Sequence, residues 1–305
     1  MIINFKKRGS KNFINLLIFL SIGFAQQSSH QYIEYQRIQN RLQQGWNTWN
    51  TSSVLQQVLL PQGFAINLAF KQHYFLEEQY LSSALIGRRG DFSETVRPGP
   101  HAYDGSYTQL EIQWEGLDAR IETAHAGKDL VILISPNSIP HDRMKVIIES
   151  GMLWNRQGHL SRKINQLKAV CPGKIIKVFT TSVPVDDDPY IDVKTPYLAV
   201  WLDGEIGIST GKKRTLLEIK KAIEIQKVSL QSEAEKFGEL AEPYIAVQAG
   251  IAWNLIYEPK FDRVVSTVGR LWNEEYGGFC TFGWDNFFLA YMTGLASRDL
   301  AFSNV

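Results

Sequence analysis

The chain has 305 residues, of which 44% are hydrophobic and 21% are charged, and its formal net charge at pH 7 is +1. This length suits two domains, and the apolar fraction can support a large core. A nearly neutral chain has no electrostatic attraction for nucleic acid or anionic membranes, so we expect neither as a partner. The 8 Trp and 12 Tyr residues exceed what a core usually needs, and such rings also stack on sugars.

The first 25 residues have the pattern of a secretory signal peptide. Residues 13–24 form an apolar segment that is too short for a comfortable membrane span, and Gly23 and Ala25 occupy the small-residue positions of a cleavage site. We expect a secreted or periplasmic protein with no membrane anchor after cleavage, the alternative being an uncleaved anchor. The positive charges before the apolar segment are Lys6, Lys7, Arg8 and Lys11.

Between residues 26 and 212 the chain has the pattern of short strands separated by Gly, Pro and Asn, which predicts a large antiparallel β-sandwich. Asp203-Gly204 is typical of a two-residue hairpin turn and is expected to join the strand before it to residues 205–209. The other predicted strands include residues 64–70, 106–114, 129–134, 175–179 and 197–202.

After residue 212 the apolar spacing becomes helical. Thr215, with Glu218 three residues later, matches a capping box and predicts a linker helix over residues 213–232. A second helical run covers about residues 233–256, where Pro243 predicts a boundary or a kink. The predicted apolar face of the linker helix is Leu216, Ile219, Ile223 and Leu230, and that of the second run is Leu240, Tyr244, Val247, Ile251 and Leu255.

A third helix is expected to begin near Trp284, directly after a turn rich in glycine and aromatic residues at 277–283. Asp285 is the candidate catalytic residue, since a carboxylic acid beside a flat apolar surface is a common arrangement in sugar-cleaving enzymes. A general acid needs to hold its proton near neutral pH, and Phe282, Trp284 and Phe288 are expected to help by excluding water. The alternative is a helix N-cap, where the free N–H groups favour the charged form. The predicted apolar face of this helix is Phe287, Phe288, Tyr291, Met292 and Leu295.

Glycoside hydrolysis normally requires a second carboxylate. Glu258, Glu274 and Glu275 are the local candidates, but each lies in a turn or loop where a surface charge is the simpler interpretation. The sequence therefore assigns no general base.

Metal and cofactor sites are not expected. Cys171 and Cys280 are far apart and have no metal-ligand spacing, so two buried free thiols are predicted rather than one long-range disulfide. The acidic run Asp186-Asp187-Asp188 with Asp192 offers oxygen ligands for calcium, but a solvated loop is the favoured interpretation.

Several segments, in the same order along the chain, resemble bacterial glycoside hydrolase family 63. They cover most of the chain after the signal segment, which makes the resemblance more specific than any one motif. The segments are GWNTWN at 45–50, LLPQGF at 59–64, PGPHAYDGSY at 98–107, AWNLIYEP at 252–259 and WDNFF at 284–288.

The resemblance implies an N-terminal super-sandwich followed by an (α/α)6 toroid that appears truncated, with its incomplete catalytic domain over residues 233–305. It implies inverting, exo-acting, α-glucosidase-like hydrolysis of α-linked glucosides and oligosaccharides, with an oligosaccharide as substrate and Asp285 as general acid. The family's general base lies on a later helix, so the 305 residues are expected to be inactive alone. The substrate-binding residues that it implies are Trp284, Arg270, Trp272, Trp253, Asn254 and Phe288.

Gly269 and residues 281–283 differ from the usual family pattern and leave the substrate open. Two other functions stay open as well. A non-catalytic carbohydrate-binding fragment would use the Trp-rich sandwich. A sugar isomerase or epimerase on a similar toroid usually needs His pairs, and the absence of His after residue 210 disfavours it.

Overall fold

The computed structural model describes residues 31–73, 78–91, 93–140, 143–185, 193–271 and 277–304. The predicted signal segment at 1–25 and the acidic run at 186–192 lie outside these residues. Within them, no helix is long and apolar enough to cross a membrane.

Most of the described chain up to residue 210 is antiparallel β-structure. The strands are β1 Gly45–Asn47, β2 Gln56–Leu60, β3 Phe64–His73, β4 Glu78–Leu81, β5 Thr95–His101, β6 Tyr107–Trp114, β7 Leu117–Ala126, β8 Asp129–Pro136, β9 Met144–Met152, β10 His159–Lys163, β11 Gln166–Cys171, β12 Lys174–Thr180, β13 Tyr197–Trp201 and β14 Ile206–Thr210.

These strands form two sheets. The first has 6 strands in the order β1-β2-β3-β9-β13, with β4 also paired to β3, and the second has 8 strands in the order β10-β11-β12-β14-β8-β7-β6-β5. Side chains from both sheets, such as Phe64 and Ile148 of the first and Ile112 and Ile132 of the second, share one buried core. The β-sandwich is therefore present, with its core between the sheets.

Strand β8 is buried on both faces, which explains its unbroken run of apolar residues. Ile132 and Ile134 face the core between the sheets, whereas Val131 and Leu133 pack against a helix on the outer face. Alternate side chains of a strand point to opposite faces, so a strand covered on both sides has no polar face to show.

The predicted hairpin at Asp203-Gly204 is wrong. The strand before it, β13, pairs with β9 in the first sheet, whereas β14 after it pairs with β8 and β12 in the second. The turn therefore carries the chain from one sheet to the other. A two-residue turn signal shows where the chain reverses, but hydrogen-bond pairing across the sandwich decides which strands become neighbours.

Helices and one small hairpin make up the rest of the described structure. They are α1 over residues 31–42, α2 Leu216–Glu235, a 3₁₀ turn Gly238–Leu240, α3 Ala241–Ala252, the hairpin β15 Leu255–Glu258 with β16 Arg263–Ser266, α4 Gly283–Thr293 and α5 Arg298–Ser303.

Helix α2 confirms the predicted capping box. The Thr215 side chain accepts from the backbone N–H of Glu218, while the Glu218 side chain accepts from the backbone N–H of Thr215. Its buried residues include Ile219, Ile223 and Leu230, which cover the outer face of the second sheet. The helix ends at Glu235, three residues beyond the predicted limit of the linker.

Helix α3 differs from its prediction at both ends and in its buried face. Pro243 lies in its first turn, so this proline marks a boundary, and residues 255 and 256 belong to β15. The face that it buries consists of Gln248, Ile251 and Ala252, whereas Leu240 and Val247 are exposed. Pro is favourable in a first helical turn because the N–H that it lacks has no partner there.

Helix α1 was not expected from the sequence, which placed this stretch in the β-region. It packs with the last elements of the chain: the Gln39 amide bonds both backbone groups of Val264 in β16, and Arg41 makes a bidentate ion pair with Asp299 at 2.8 Å. Together with α3, α5 and the β15–β16 hairpin it covers the outer face of the first sheet.

The turn at residues 102–105 is held closely against β1. Gly105 has a φ of +71°, and a Cβ at this position would lie 2.7 Å from the backbone oxygen of Trp46. Both the left-handed backbone and the close approach require glycine.

Gly105→Ala should therefore lower the free energy of unfolding by about 2–4 kcal/mol, because the left-handed strain and the clash add. Gly127→Ala is the matched control, since Gly127 has a φ of +70° but nothing within 4 Å of the point where a Cβ would lie. The control should lose about 1–2 kcal/mol. Equal losses for the two variants in urea denaturation would contradict the close approach.

Candidate functional site

Asp285 is the third residue of α4 and is exposed. The N-cap of this helix is Phe282, which makes no side-chain capping bond, so the alternative that Asp285 is an N-cap is wrong. Its carboxylate instead lies in the first helical turn, where the helix dipole favours a negative charge.

Exposed aromatic residues neighbour Asp285 along the same helix. Trp284 is 75% and Phe288 55% exposed, and their rings meet edge to face with centroids 5.2 Å apart. Phe287 and Tyr291 extend the aromatic surface and are also exposed. We call Phe282, Trp284, Asp285, Phe287, Phe288 and Tyr291 the α4 surface.

The burial of α4 is the reverse of its predicted pattern. Its buried residues are Asn286, Ala290 and Thr293, whereas the predicted apolar face is solvent-exposed within the described structure. Asn286 reaches inward, where its amide donates to the Ser266 backbone oxygen at 3.3 Å. The expected exclusion of water from Asp285 by its aromatic neighbours is therefore not provided by the described residues.

Three of the other candidate residues lie in a cavity away from the α4 surface. Trp253, Asn254 and Arg270 line a cavity of about 1040 Å³ between α3 and the edge of the sandwich, and Asp285, Trp284 and Phe288 are not among its lining residues. Trp272 lies outside the described residues. The structure thus separates the candidate acid from the Trp253–Arg270 group.

Arg270 joins the helical part to the sandwich. Its Nη1 donates to the backbone oxygens of Thr48 at 2.6 Å and Asn50 at 3.1 Å, and its Nη2 donates to Leu255 O at 2.9 Å and Thr48 Oγ1 at 3.3 Å. The guanidinium is fully buried, and burial lowers the pKa of Arg270 to about 9. It stays protonated at neutral pH, so four donor contacts offset the cost of a buried charge.

Trp253 and His101 extend this junction. The Trp253 indole N–H donates to the Gly99 backbone oxygen at 2.8 Å, and its ring lies edge-on to His101 with centroids 4.6 Å apart. His101 is buried between the Ala102 backbone oxygen, 2.7 Å from Nδ1, and Thr48 Oγ1, 2.9 Å from Nε2. A carbonyl can only accept, so Nδ1 carries the proton and Nε2 accepts from the Thr48 hydroxyl.

We call Arg270, Thr48, His101 and Trp253 the junction network. Apart from Arg270 Nε, which is buried with no partner among the described residues, its polar groups bond one another or backbone oxygens. The network therefore fixes strand edges and loops. Of these residues, the family resemblance implied that Arg270 and Trp253 bind sugar. Sugar contact by Arg270, Trp253 and Asn254 stays a prediction, and any such contact would come from the cavity side.

The interpretation of Glu258 as a surface charge is wrong, because its side chain is buried. This side chain is buried in the turn between β15 and β16, where it accepts from the backbone N–H groups of Lys260 and Phe261 and pairs with Arg263 at 3.2 Å. Glu274 and Glu275 lie outside the described residues. Cys171 and Cys280 are both free, as predicted, but only Cys171 is buried, and the predicted burial of Cys280 is wrong. No group of three metal-ligand side chains occurs within the described ranges.

Comparison with known proteins gave no match to a family model, and no curated protein matched the sequence.

Arg270→Met should lower the free energy of unfolding by about 3–5 kcal/mol, because it leaves buried carbonyl oxygens without donors. Arg89→Met is the control, since Arg89 lines the same cavity but is exposed, and it should change stability by less than about 0.5 kcal/mol. Urea denaturation measures both. Similar small effects would contradict a structural role for Arg270.

Stability should fall in acid because of His101. Burial lowers its pKa to about 3, so below pH 6.5 the unfolded chain binds a proton that the folded chain does not. The stability from the neutral ring is present above pH 6.5 and is lost as pH falls towards 3, by about 1.4 kcal/mol per pH unit.

His101→Gln cannot titrate, so its unfolding free energy should fall less steeply than that of the wild type between pH 6 and 4. The pKa of His125 is also lowered by burial. His125 is present in both proteins, so it contributes equally to both pH profiles and does not affect their difference. Parallel pH profiles would show that His101 does not stay neutral in the folded chain.

Proposed function

We propose that this protein is an inverting glycoside hydrolase of the family 63 type, acting on α-linked glucosides, with Asp285 as its general acid. The observation that carries the proposal is the α4 surface, where exposed aromatic residues neighbour the exposed Asp285 along one helix. Exposed aromatic area of this kind is typical of a surface that binds a ligand or a further protein element.

The fold supports the proposal in a second way. Two large antiparallel sheets form a sandwich, and helices follow it in the order that the family resemblance implies. In this proposal α3, α4 and α5 are early helices of an (α/α)6 toroid, and the protein is exported to the periplasm or the medium. The motifs at 98–107 and 252–259 meet in the junction network, through Trp253 and Gly99.

Chemically, Asp285 would protonate the glycosidic oxygen while Trp284 or Phe288 stacks on the sugar ring. A general base would activate water on the opposite face of the sugar, about 6.5–9.5 Å from the acid in an inverting enzyme. The turn contacts of Glu258 argue against Glu258 in that role. The proposal places the base on a later toroid helix, as in the resemblance.

Binding of a carbohydrate without hydrolysis is the second candidate function. It is favoured by the exposure of Asp285, because a general acid normally works in a site that excludes water. The aromatic rings of the α4 surface would bind sugar equally well in either case.

The role of Asp285 is tested by comparing two substrates, one whose leaving group must be protonated and one whose leaving group departs without a proton. In the protein as expressed from its own gene, Asp285→Asn should lower the hydrolysis of an α-linked glucose disaccharide by about 10²–10⁴-fold. Hydrolysis of α-glucosyl fluoride should fall far less, because fluoride departs without protonation. Glu239→Gln, which changes an exposed carboxylate outside the α4 surface, should leave both rates unchanged.

Equal losses on the disaccharide and the fluoride would exclude Asp285 as general acid. A wild-type protein that binds the disaccharide, shown by quenching of Trp fluorescence, but hydrolyses neither substrate would favour the binding function instead.

A further inference from the structure

Three strands at one end of the second sheet have an outer side that helix α2 leaves uncovered. Helix α2 packs on the outer side of β6, β7, β8 and β14, and the strands beyond β14 in this sheet are β12, β11 and β10. Their aliphatic side chains on this side are exposed to solvent, at 39% for Val170 and 60% for Ile175. This part of the sheet therefore has a free surface within the described structure.

Strand alternation and register place three lysines and two aliphatic residues together on that side. The residues of β10, β11 and β12 that pack in or against the core are Leu160, Leu167, Ala169, Ile176 and Val178. Their neighbours in the chain therefore point outward. Lys168 lies directly opposite Lys177, and Val170 directly opposite Ile175. Lys163 ends the neighbouring strand β10. We call Lys163, Lys168, Val170, Ile175 and Lys177 the basic face.

The charges of the basic face are not balanced by the protein. Like charges that lie directly opposite each other destabilise a sheet, and Lys168 and Lys177 are such a pair. None of the three lysines forms an ion pair within the described ranges. Residues 150–185 also contain no Asp or Glu. An anionic partner would relieve this repulsion.

The net charge of the whole chain does not show this face. Its value of +1 averages over acidic residues in other parts of the chain. The potential at a surface depends mainly on the charges within one Debye length, about 8 Å at physiological ionic strength. A partner that contacts only the basic face therefore meets a positive surface.

The mixture of lysine and aliphatic side chains indicates what kind of anionic partner fits. Protein interfaces are depleted in Lys and rely on Trp, Tyr and Arg, and nucleic acids are bound through Arg and through stacking on exposed rings. The outward-facing residues of β10, β11 and β12 include no Arg, and Phe179 among them is half-buried. On anionic lipid, lysine ammonium groups reach the phosphates while aliphatic groups enter the headgroup layer.

We propose that the basic face is a docking surface for an anionic lipid bilayer, on which the protein lies without spanning it. The ammonium groups of Lys163, Lys168 and Lys177 contact lipid phosphates, and Val170 and Ile175 contact the boundary of the acyl chains. The docking is reversible and weakens with salt, because it depends on a few exposed charges. It does not require the α4 surface to be catalytic.

The test is co-sedimentation of the purified protein with vesicles of phosphatidylglycerol and phosphatidylcholine in equal amounts. The protein should bind them about a hundredfold more tightly than vesicles of phosphatidylcholine alone, or about fivefold for each lysine. This preference should disappear when NaCl is raised from about 50 mM to about 500 mM, because the Debye length then falls below the reach of the lysines.

A triple lysine variant removes the charge of the basic face. It should lose the preference for anionic vesicles, and it should be at least as stable as the wild type in urea, because the like-charge pair is gone. Its substitutions are Lys163→Gln, Lys168→Gln and Lys177→Gln. The matched control removes the same net charge at exposed positions outside the basic face and should bind as the wild type does. The control substitutions are Lys227→Gln, Lys236→Gln and Lys260→Gln.

The aliphatic residues distinguish lipid from a soluble polyanion. Val170→Ser combined with Ile175→Ser should weaken binding to the anionic vesicles by about five- to tenfold. The same variant should leave any binding of heparin or duplex DNA unchanged, because those polyanions have no apolar layer for the aliphatic groups to enter.

The proposal is overturned if the wild type binds the two kinds of vesicle equally, or if the control variant loses as much binding as the triple lysine variant. It is also overturned if the aliphatic variant binds anionic vesicles as the wild type does, which would assign the face to a soluble polyanion. Asp285→Asn and Trp284→Ala separate the basic face from the proposed function, because neither should change vesicle binding. A loss in Trp284→Ala that the triple lysine variant does not show would place the lipid contact on the α4 surface instead.

Discussion

The buried guanidinium of Arg270 is the interaction on which the relation between the sandwich and the helices depends. One side chain donates to the backbone beside β1, at Thr48 and Asn50, and to the backbone of β15, at Leu255. Removing a charge from water costs several kcal/mol, which is recovered only while all of these acceptors stay in place. The guanidinium thus makes the two parts of the chain structurally dependent on each other, and Trp253 and His101 pack around the same point.

This dependence changes how the candidate residues are understood. Arg270 and Trp253 were candidates for binding sugar, yet their polar groups bond the sandwich, while Asp285 and Trp284 lie on the separate α4 surface. The proposed chemistry therefore rests on α4, and the junction network supports it from a distance by fixing the hairpin before it.

Much of the sandwich could be predicted from the sequence because strand burial leaves a local pattern. Residues 129–134 are apolar without interruption because both faces of β8 are covered, and Thr215 with Glu218 specified the start of α2 within three residues. Pairing across the sandwich was not predictable from Asp203-Gly204, since the partners of β13 and β14 are distant in the chain.

Helix α1 was not predicted because the residue that its Gln39 bonds, Val264, lies 225 residues away in the chain. The burial of α4 could not be predicted either: its aromatic residues favour burial by composition, yet packing buries Asn286 and Thr293 instead.

Native-state hydrogen exchange at Tyr257 tests the central role of Arg270 most directly. The amide of Tyr257 donates to the Trp49 backbone oxygen at 2.9 Å, across the junction between hairpin and sandwich. We expect this amide in the wild type to be as protected as those of the central strand β9. In Arg270→Met it should exchange at least about a hundredfold faster relative to the β9 amides, as expected for a local opening that has become about 3 kcal/mol easier. Unchanged protection of Tyr257 relative to β9 in that variant would contradict the claim that the buried guanidinium holds the two parts together.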